Sequence, residues 1–168
     1  MYLKCPIFLL LLLSTLTIHA QVFKDNGFII DEATGEEYKL TTQQSYNDAE
    51  GVVLKASNYW LGVEECPYDE GTFYMRPFIA EWVKGNKKYN IKGEKQIWDL
   101  FDSDKYYYGK FMYFASLVKV AIEHQFTEEV LINEKARAFF IDYALDKRNK
   151  LKLSRSQKKA LQKMKEEL

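Results

Sequence analysis

The chain of 168 residues carries 24 basic and 24 acidic side chains and is 47% hydrophobic. This length is sufficient for one domain with a hydrophobic core. A neutral chain argues against nucleic acid as the main partner, because binding to phosphates requires a basic field. It also gives no support for binding to anionic membranes.

The first twenty residues have the layout of a secretory signal peptide. Lys4 supplies a short positive region, residues 6–13 supply an apolar segment, and Ala20 is a small residue before the expected cleavage at Gln21. The apolar segment is short for a membrane anchor. Residues 1–20 therefore predict a periplasmic or secreted protein with no stable membrane insertion after signal removal.

Export would leave Cys66 as the only cysteine, so no internal disulfide can form and stability must come from packing. Cys66 is interpreted as a small buried apolar side chain, in preference to a reactive thiol or an intermolecular bridge. Glu64 and Glu65 precede it, and Asp69 and Glu70 follow it. Paired carboxylates can act as general acid and base, but a solvated, helix-capping loop is the favoured interpretation here.

Residues 21–45 predict an extended or hairpin N-terminal arm. Apolar residues at 28–30 and 38–40 flank a stretch with a turn signal at Thr34–Gly35. A lone hairpin is marginally stable in water, so the arm is expected to lie on the helices of the remaining domain, residues 46–168.

Two helices are predicted next in the chain. The first begins at Asn47–Asp48, whose side chains can cap it, and ends at Leu61–Gly62. The second is capped at Asp69 and ends at Lys84. Pro77 either kinks this second helix or belongs to its first turn, with extended residues before it, and the kink is favoured.

A polar loop and a short helix follow. The loop covers residues 85–93, and its Tyr89 and Ile91 are expected to anchor it in the core. The short helix covers residues 94–101 and presents three apolar side chains.

The stretch at residues 106–126 predicts the central helix. Ten of the twelve residues from 111 to 122 are apolar, and the single charge among them is Lys119. Ser116, Lys119 and Glu123 form one narrow polar stripe at helical spacing. A membrane span needs about 20 uninterrupted apolar residues, so this helix is predicted to be buried in a soluble core.

Two further helices are predicted toward the end of the sequence. Thr127 begins the first, whose apolar side chains recur at helical spacing. Ser154 or Ser156 caps a thin, basic final helix. The fold prediction is therefore all-α: a single-domain bundle of five to six helices around a buried central helix, with an extended or hairpin N-terminal arm.

His124 would be the only histidine after export, with Glu123 beside it and Glu128 four residues on. A metal pair or a general base is one interpretation. A helix-terminal histidine that interacts with the helix dipole is the favoured one, because Thr127 is predicted to break the helix. The chain has no nucleophile elbow, phosphate-binding glycine loop or dinucleotide fingerprint. No catalytic residue, metal ligand or cofactor is therefore assigned.

Aromatic residues are the unusual feature of the composition, at 15% of the chain. Most lie at helical core spacing, but aromatic side chains also form platforms for sugars and peptides and are enriched at protein interfaces. Tyr106, Tyr107 and Tyr108 cannot all face inward, because consecutive residues are about 100° apart on a helix. At least one is expected to be exposed near Trp98 or Tyr89, and these five residues form the predicted binding surface.

Several segments together resemble a family of small exported helical proteins of Bacteroidota-type bacteria. The segments are Asn58-Tyr59-Trp60-Leu61, the aromatic helix around Trp82, the loop with Tyr89, Gly109 with Met112 and Lys119, and the basic tail. The resemblance covers most of the mature chain and implies an exported helical fold without a known activity. A looser, architectural likeness is to periplasmic immunity proteins that neutralise cell-wall amidase toxins.

The function predicted on these grounds is an exported, non-catalytic protein-binding module, with an immunity-type inhibitor as one form of it. One alternative is a small periplasmic hydrolase that uses carboxylates near Cys66 or His124. Another is a carbohydrate-binding module, which would present exposed, coplanar rings from Trp98 and the three consecutive tyrosines.

Overall fold

A computed structural model describes residues 37–62, 70–102 and 107–168, without the side chains of residues 70–74 and 107. The predicted signal peptide, most of the predicted arm, the loop with Cys66 and Tyr106 lie outside these ranges. Within them the chain forms seven α-helices and no strand, which confirms the all-α prediction. The helices are α1 Gln43–Asp48, α2 Glu50–Gly62, α3 Glu70–Gly85, α4 Lys95–Leu100, α5 Tyr107–His124, α6 Glu129–Leu145 and α7 Arg155–Glu166.

The core is built around α5, which packs along its length against α2 on one side and α6 on the other. Tyr113, Leu117 and Val118 are fully buried. Ser116 is buried as well, and its hydroxyl donates to the carbonyl oxygen of Met112 at 2.7 Å, so no polar group is left unsatisfied there. The prediction of a buried central helix is confirmed. No helix in the described ranges is long and apolar enough to cross a membrane.

The first helix begins earlier than predicted, inside the segment assigned to the arm. Thr42 and Ser45 form a reciprocal cap: the Ser45 N–H donates to Thr42 Oγ1 at 3.1 Å, and the Thr42 N–H donates to Ser45 Oγ at 3.0 Å. The helix is then interrupted at Ala49, so α1 and α2 replace one predicted helix. Asn47 and Asp48, the predicted caps, lie at the end of α1.

The second predicted helix is confirmed as α3, and Pro77 lies inside it. The alternative in which the residues before Pro77 are extended is therefore wrong. Two contacts fasten α3 to its neighbours. The Trp82 indole N–H donates to the Tyr46 carbonyl at 2.7 Å, and the Arg76 guanidinium lies 3.9 Å from the centroid of the Phe111 ring on α5.

Gly109 in the first turn of α5 allows the ring of Phe101, at the end of α4, to approach the α5 backbone closely. A Cβ atom at Gly109 would lie 1.9 Å from the nearest ring carbon of Phe101, which is fully buried beside it. Phe101 also packs edge-on against Phe140 of α6, with ring centroids 5.6 Å apart. The absence of a side chain at Gly109 therefore lets this ring reach α6.

The turn between α5 and α6 is a Schellman motif. Gln125 has a left-handed φ of 54°, its N–H donates to the Ile122 carbonyl, and the Phe126 N–H donates to the Ala121 carbonyl at 3.1 Å. The predicted start of α6 at Thr127 is wrong by one residue. Glu128 is the N-cap, and its side chain makes no capping hydrogen bond.

After α6, the chain forms a 3-10 turn at Lys147–Asn149 and then continues to α7. Ser154 caps α7 in a capping box with Gln157, which confirms one of the two predicted caps. The buried Gln157 side chain also donates to the Leu100 carbonyl at 2.9 Å. Leu161 and Met164 are buried, so α7 packs one stripe on the bundle and leaves its lysines in water.

Candidate functional site

The predicted aromatic surface is only partly at the surface of the molecule. Tyr89 is 4% exposed and packs on Trp82, with ring centroids 5.8 Å apart. It anchors its loop, as predicted, and its ring is not available to a ligand. Trp98 is half-buried: its indole N–H donates to the Lys92 carbonyl at 3.1 Å, and its ring packs edge-on against Tyr113.

Of the three consecutive tyrosines, Tyr108 is the one whose side chain the structure describes. Tyr106 and the side chain of Tyr107 lie outside the described part of the chain, and Tyr108 is half-buried. With Tyr89 in the core and Trp98 packed on Tyr113, the described residues do not form an exposed row of rings. An aromatic binding surface at this end of the molecule stays a prediction.

His124 lies exposed in the last turn of α5, as its helix-terminal interpretation predicts. Its ring stacks on Phe126 at 5.2 Å, with 19° between the planes. Glu123 is paired with Lys119, and Glu128 belongs to the next helix. No three His, Cys, Asp or Glu side chains in the described ranges are grouped so that they could hold a metal ion.

The densest polar cluster joins Glu50, Lys88, Tyr89 and Gln125. Glu50 Oε1 accepts hydrogen bonds from the Tyr89 hydroxyl at 2.8 Å and from Gln125 Nε2 at 2.9 Å. Lys88 Nζ lies 3.0 Å from Glu50 Oε2 and donates to Gln125 Oε1 at 2.6 Å. The cluster therefore ties together the first residue of α2, the loop after α3 and the turn after α5.

Electrostatics identify this polar cluster as a structural tie. Burial alone would raise the pKa of the Glu50 carboxyl, but hydrogen bonds from Gln125, Tyr89 and Lys88 together lower it below its ordinary value. Burial is the main cause that raises the pKa of the Tyr89 hydroxyl. Each group is held in its ordinary charge state, which suits a latch between segments better than proton transfer.

A surface groove between α6 and Leu168, which lies just after the C-terminal end of α7, is a candidate site that sequence reasoning missed. Val130, Leu131 and Leu168 are 63%, 42% and 56% exposed. Leu131 and Leu168 line a groove of 530 Å³ together with Phe126 and Ala138. Charged residues form its rim: Glu134, Lys135 and Arg137. We call this site the α6–α7 groove.

A sequence signal for the α6–α7 groove was present. Val130, Leu131 and Ile132 are three consecutive apolar residues in the first turn of a helix. On a helix they point about 100° apart, so they cannot all face the same core. The structure buries Ile132 completely and leaves the other two in water. The geometric rule that applied to the three tyrosines applies equally here.

The fold and these sites define a helical bundle with a surface groove and with a polar cluster that joins three segments of the chain. Comparison of the chain with protein-family profiles, with curated proteins and with solved structures returns no significant match. Function must therefore be argued from the surfaces of this molecule alone.

Proposed function

We propose that this protein is an exported, non-catalytic module that binds another protein through the α6–α7 groove. The observation that carries the proposal is the exposure of Leu131 and Leu168, which both line this groove, and of Val130 beside Leu131 in α6. Covering apolar surface is favourable by roughly 25 cal/mol per Å². A cluster of such residues with a charged rim has the composition of a protein-binding surface.

The expected occupant is an apolar ridge of the partner protein. The α6–α7 groove has a volume of 530 Å³, so an apolar side chain from a helix or an extended segment can enter it. Arg137 at the rim is held by Glu94 at 3.4 Å, and Phe126 is stacked on His124. Side chains that are already fixed lose little conformational entropy on binding, which favours affinity.

An immunity-type inhibitor is the finer form of this proposal. Such a protein acts by covering another protein, so it needs a contact surface and no reactive group of its own. Carboxylates of the described chain are engaged within the fold: Glu50 with Lys88, Glu94 with Arg137 and Glu123 with Lys119. Engaged carboxylates support a stable scaffold rather than a site for acid–base chemistry.

The two alternative functions have weaker support. The carboxylates around Cys66 lie outside the described residues, and His124 stacks on Phe126. No contact among the described residues therefore favours the hydrolase. The carbohydrate-binding alternative needs exposed coplanar rings, and of its candidate residues the structure places Trp98 and Tyr108 half-buried.

The proposal is tested by cross-linking at the α6–α7 groove. The full chain is produced with a photoreactive amino acid in place of Val130, in cells of its natural source, and irradiated before extraction. We expect one protein to be cross-linked in stoichiometric amount. Leu131→Asp should lower its yield by about tenfold or more, because a covered leucine contributes roughly 1.5–3 kcal/mol.

Tyr59→Asp is the matched control, because Tyr59 is an aromatic side chain of similar exposure, 46%, on α2. This variant should leave the cross-linked yield unchanged, and circular dichroism should show that both variants keep the helical fold. Equal yields from the Leu131→Asp variant and the unmodified chain would overturn the proposal.

A further inference from the structure

The C-terminal part of this neutral chain is strongly basic. Residues 147–165 contain nine basic and no acidic side chains. Because the whole chain has 24 of each kind, its other residues carry 15 basic and 24 acidic side chains. The chain is therefore neutral as a whole but has a concentration of positive charge in one segment, which a net charge does not reveal.

Helix α7 presents part of this positive charge on one side. Its buried residues, Gln157, Leu161 and Met164, form a stripe that packs on the bundle. Four basic side chains lie on the opposite side of the helix, because consecutive residues are about 100° apart. All four are exposed. This surface is here called the basic face, and its members are Arg155, Lys158, Lys159 and Lys163.

The placement of these cations opposes the stability of α7. Arg155 and Lys159 are four residues apart, as are Lys159 and Lys163, and like charges at this spacing destabilise a helix. Arg155 is also the first residue of α7, where the helix dipole disfavours positive charge, and the first turn contains no acidic residue. Lys163 lies 3.8 Å from Glu167, but both side chains are exposed, so this pair contributes little. Helix stability therefore does not explain the basic face, whereas a function in binding does.

A groove of 510 Å³ lies on the same side of α7. Lys159 and Lys163 line it and contribute two ammonium groups. Ser156 and Gln162 line it as well, and their hydroxyl and amide groups can donate hydrogen bonds to phosphate oxygens. Glu166 is its one acidic lining residue. The groove therefore combines positive charge with neutral donors, which suits a phosphate group.

We propose that the basic face of α7 binds an anionic phospholipid surface. Its cations contact lipid phosphates, and the groove lined by Lys159 and Lys163 receives a phosphate-bearing headgroup. Leu161 and Met164 stay packed in the bundle, so the protein adsorbs through charge and does not insert. The groove on α7 shares no lining residue with the α6–α7 groove, so this inference goes beyond the proposed protein-binding function.

The composition of the basic face favours a lipid surface over a protein. Lysine is depleted at protein interfaces and aromatic residues are enriched there, whereas this face has three lysines and no aromatic side chain. A nucleic acid extends past any one helix, so it would also meet the part of the chain in which acidic side chains outnumber basic ones. A planar lipid surface touches one side of the molecule alone, and the four cations lie on one side of α7.

The test measures adsorption to lipid vesicles. The full chain is expressed in cells of its natural source, so that any processing occurs, and the purified product is sedimented with vesicles of equal parts phosphatidylglycerol and phosphatidylcholine. We expect binding that weakens as salt is added, and no binding to vesicles of phosphatidylcholine alone. Lys159→Gln should weaken binding by about fivefold, which is what one cation near an anionic surface contributes.

Lys84→Gln is the matched control. Lys84 is an exposed lysine of α3, which packs against α1 and α2, whereas α7 packs against α6. This variant should weaken binding by less than about twofold, because salt screens charges that lie more than about 10 Å from the contact. Equal losses from the two variants would overturn the inference, because binding would then follow the total charge. Equal binding to both kinds of vesicle would overturn it as well.

Acidic macromolecules are the competing partners for the basic face. Binding to a hexaglutamate peptide or to a DNA duplex, without binding to phosphatidylglycerol vesicles, would contradict the inference. Leu131→Ala should leave vesicle binding unchanged, because Leu131 lines the α6–α7 groove and lies outside the basic face. Failure of the α6–α7 groove as a docking site is thereby separated from failure of the basic face.

Discussion

Glu50 illustrates how one side chain can hold three distant parts of this chain together. Its carboxylate receives hydrogen bonds from Tyr89 and Gln125 and pairs with Lys88, and these residues lie 38 to 75 positions away in sequence. Because the hydrogen bonds lower the pKa of Glu50, its charged form is favoured in the folded state relative to the unfolded one. The Glu50 contribution to stability must therefore depend on pH.

The sign of this dependence follows from the direction of the shift. The folded chain binds fewer protons at Glu50 than the unfolded chain, so the Glu50 contribution is complete above the ordinary pKa of 4.5. It is lost as the pH falls through the lower folded pKa. In the Glu50→Gln variant, we expect the free energy of unfolding to fall less steeply below about pH 4.5 than it does in the unmodified chain. Urea denaturation between pH 3 and 7 measures both. Glu134→Gln, at an exposed residue of α6, should keep the acid sensitivity of the unmodified chain.

At the scale of single residues, the sequence predicts burial better than it predicts partners. The sequence predicts Tyr89 both as a core anchor of its loop and as part of a binding surface, and its burial agrees with the first of these predictions. Its hydrogen bond to Glu50 spans 39 positions, and no local pattern indicates such a pair. The exposure of Val130 and Leu131 could have been predicted, since both follow from helical geometry.

At the scale of helices, the caps show where the local sequence is sufficient to predict the residue at which a helix begins. Ser154 and Gln157 have the serine-x-x-glutamine spacing of a capping box, and α7 begins there. The cap of α1 uses Thr42 and Ser45, and a serine in the last position falls outside the usual motif. The sequence therefore predicts a start for the first helix, at Asn47–Asp48, that is later than the observed start at Gln43. At Thr127, the sequence offered a capping hydroxyl that the turn after α5 does not use.

The cap of α7 can be tested with a matched pair of serines. Ser154→Ala removes the acceptor for the Gln157 N–H and should lower the unfolding free energy by about 1 kcal/mol. Ser156→Ala removes an exposed hydroxyl that contacts Ser154 and caps nothing, so it should change stability by less than about 0.5 kcal/mol. Thermal denaturation followed by circular dichroism measures both. Equal effects would mean that Ser154 is not the cap in solution.

At the scale of the whole molecule, one leucine stabilises the core and another is assigned to binding. Leu117 is fully buried at the centre of α5, whereas Leu131 is 42% exposed in the α6–α7 groove. Leu117 belongs to the core that α2, α5 and α6 share, so its packing contributes to the stability of the entire bundle. Leu131 contributes little to packing, which is why we assign it to binding.

Substitution of each leucine by alanine separates these roles. Leu117→Ala should lower the unfolding free energy by about 2–5 kcal/mol, because it leaves a cavity in the core. That is a large part of the roughly 5–15 kcal/mol that stabilises a domain of this kind. Leu131→Ala should cost less than about 0.5 kcal/mol. Chemical denaturation measures both values, and a loss at Leu131 as large as that at Leu117 would contradict the assignment of the α6–α7 groove as a binding surface.

The architecture was predictable from the sequence because a long apolar helix between amphipathic ones can be buried in few ways. The binding surfaces were less predictable. The α6–α7 groove is lined by both Leu131 and Leu168, which lie 37 positions apart in sequence. The left-handed conformation of Lys150 after α6 is likewise not indicated by composition alone. The placement of distant residues therefore determines the surface of the molecule, even where local patterns predict its helices.

The tight fit between Gly109 and Phe101 also constrains how this sequence can drift. Any side chain at position 109 would collide with the aromatic ring at 101, which is itself wedged against Phe140. Position 109 can therefore gain a side chain only if the residue at position 101 changes as well. A descendant that acquires alanine at 109 must first, or at the same time, shrink the residue at 101. Related sequences that carry a side chain at position 109 should therefore carry a smaller residue at position 101.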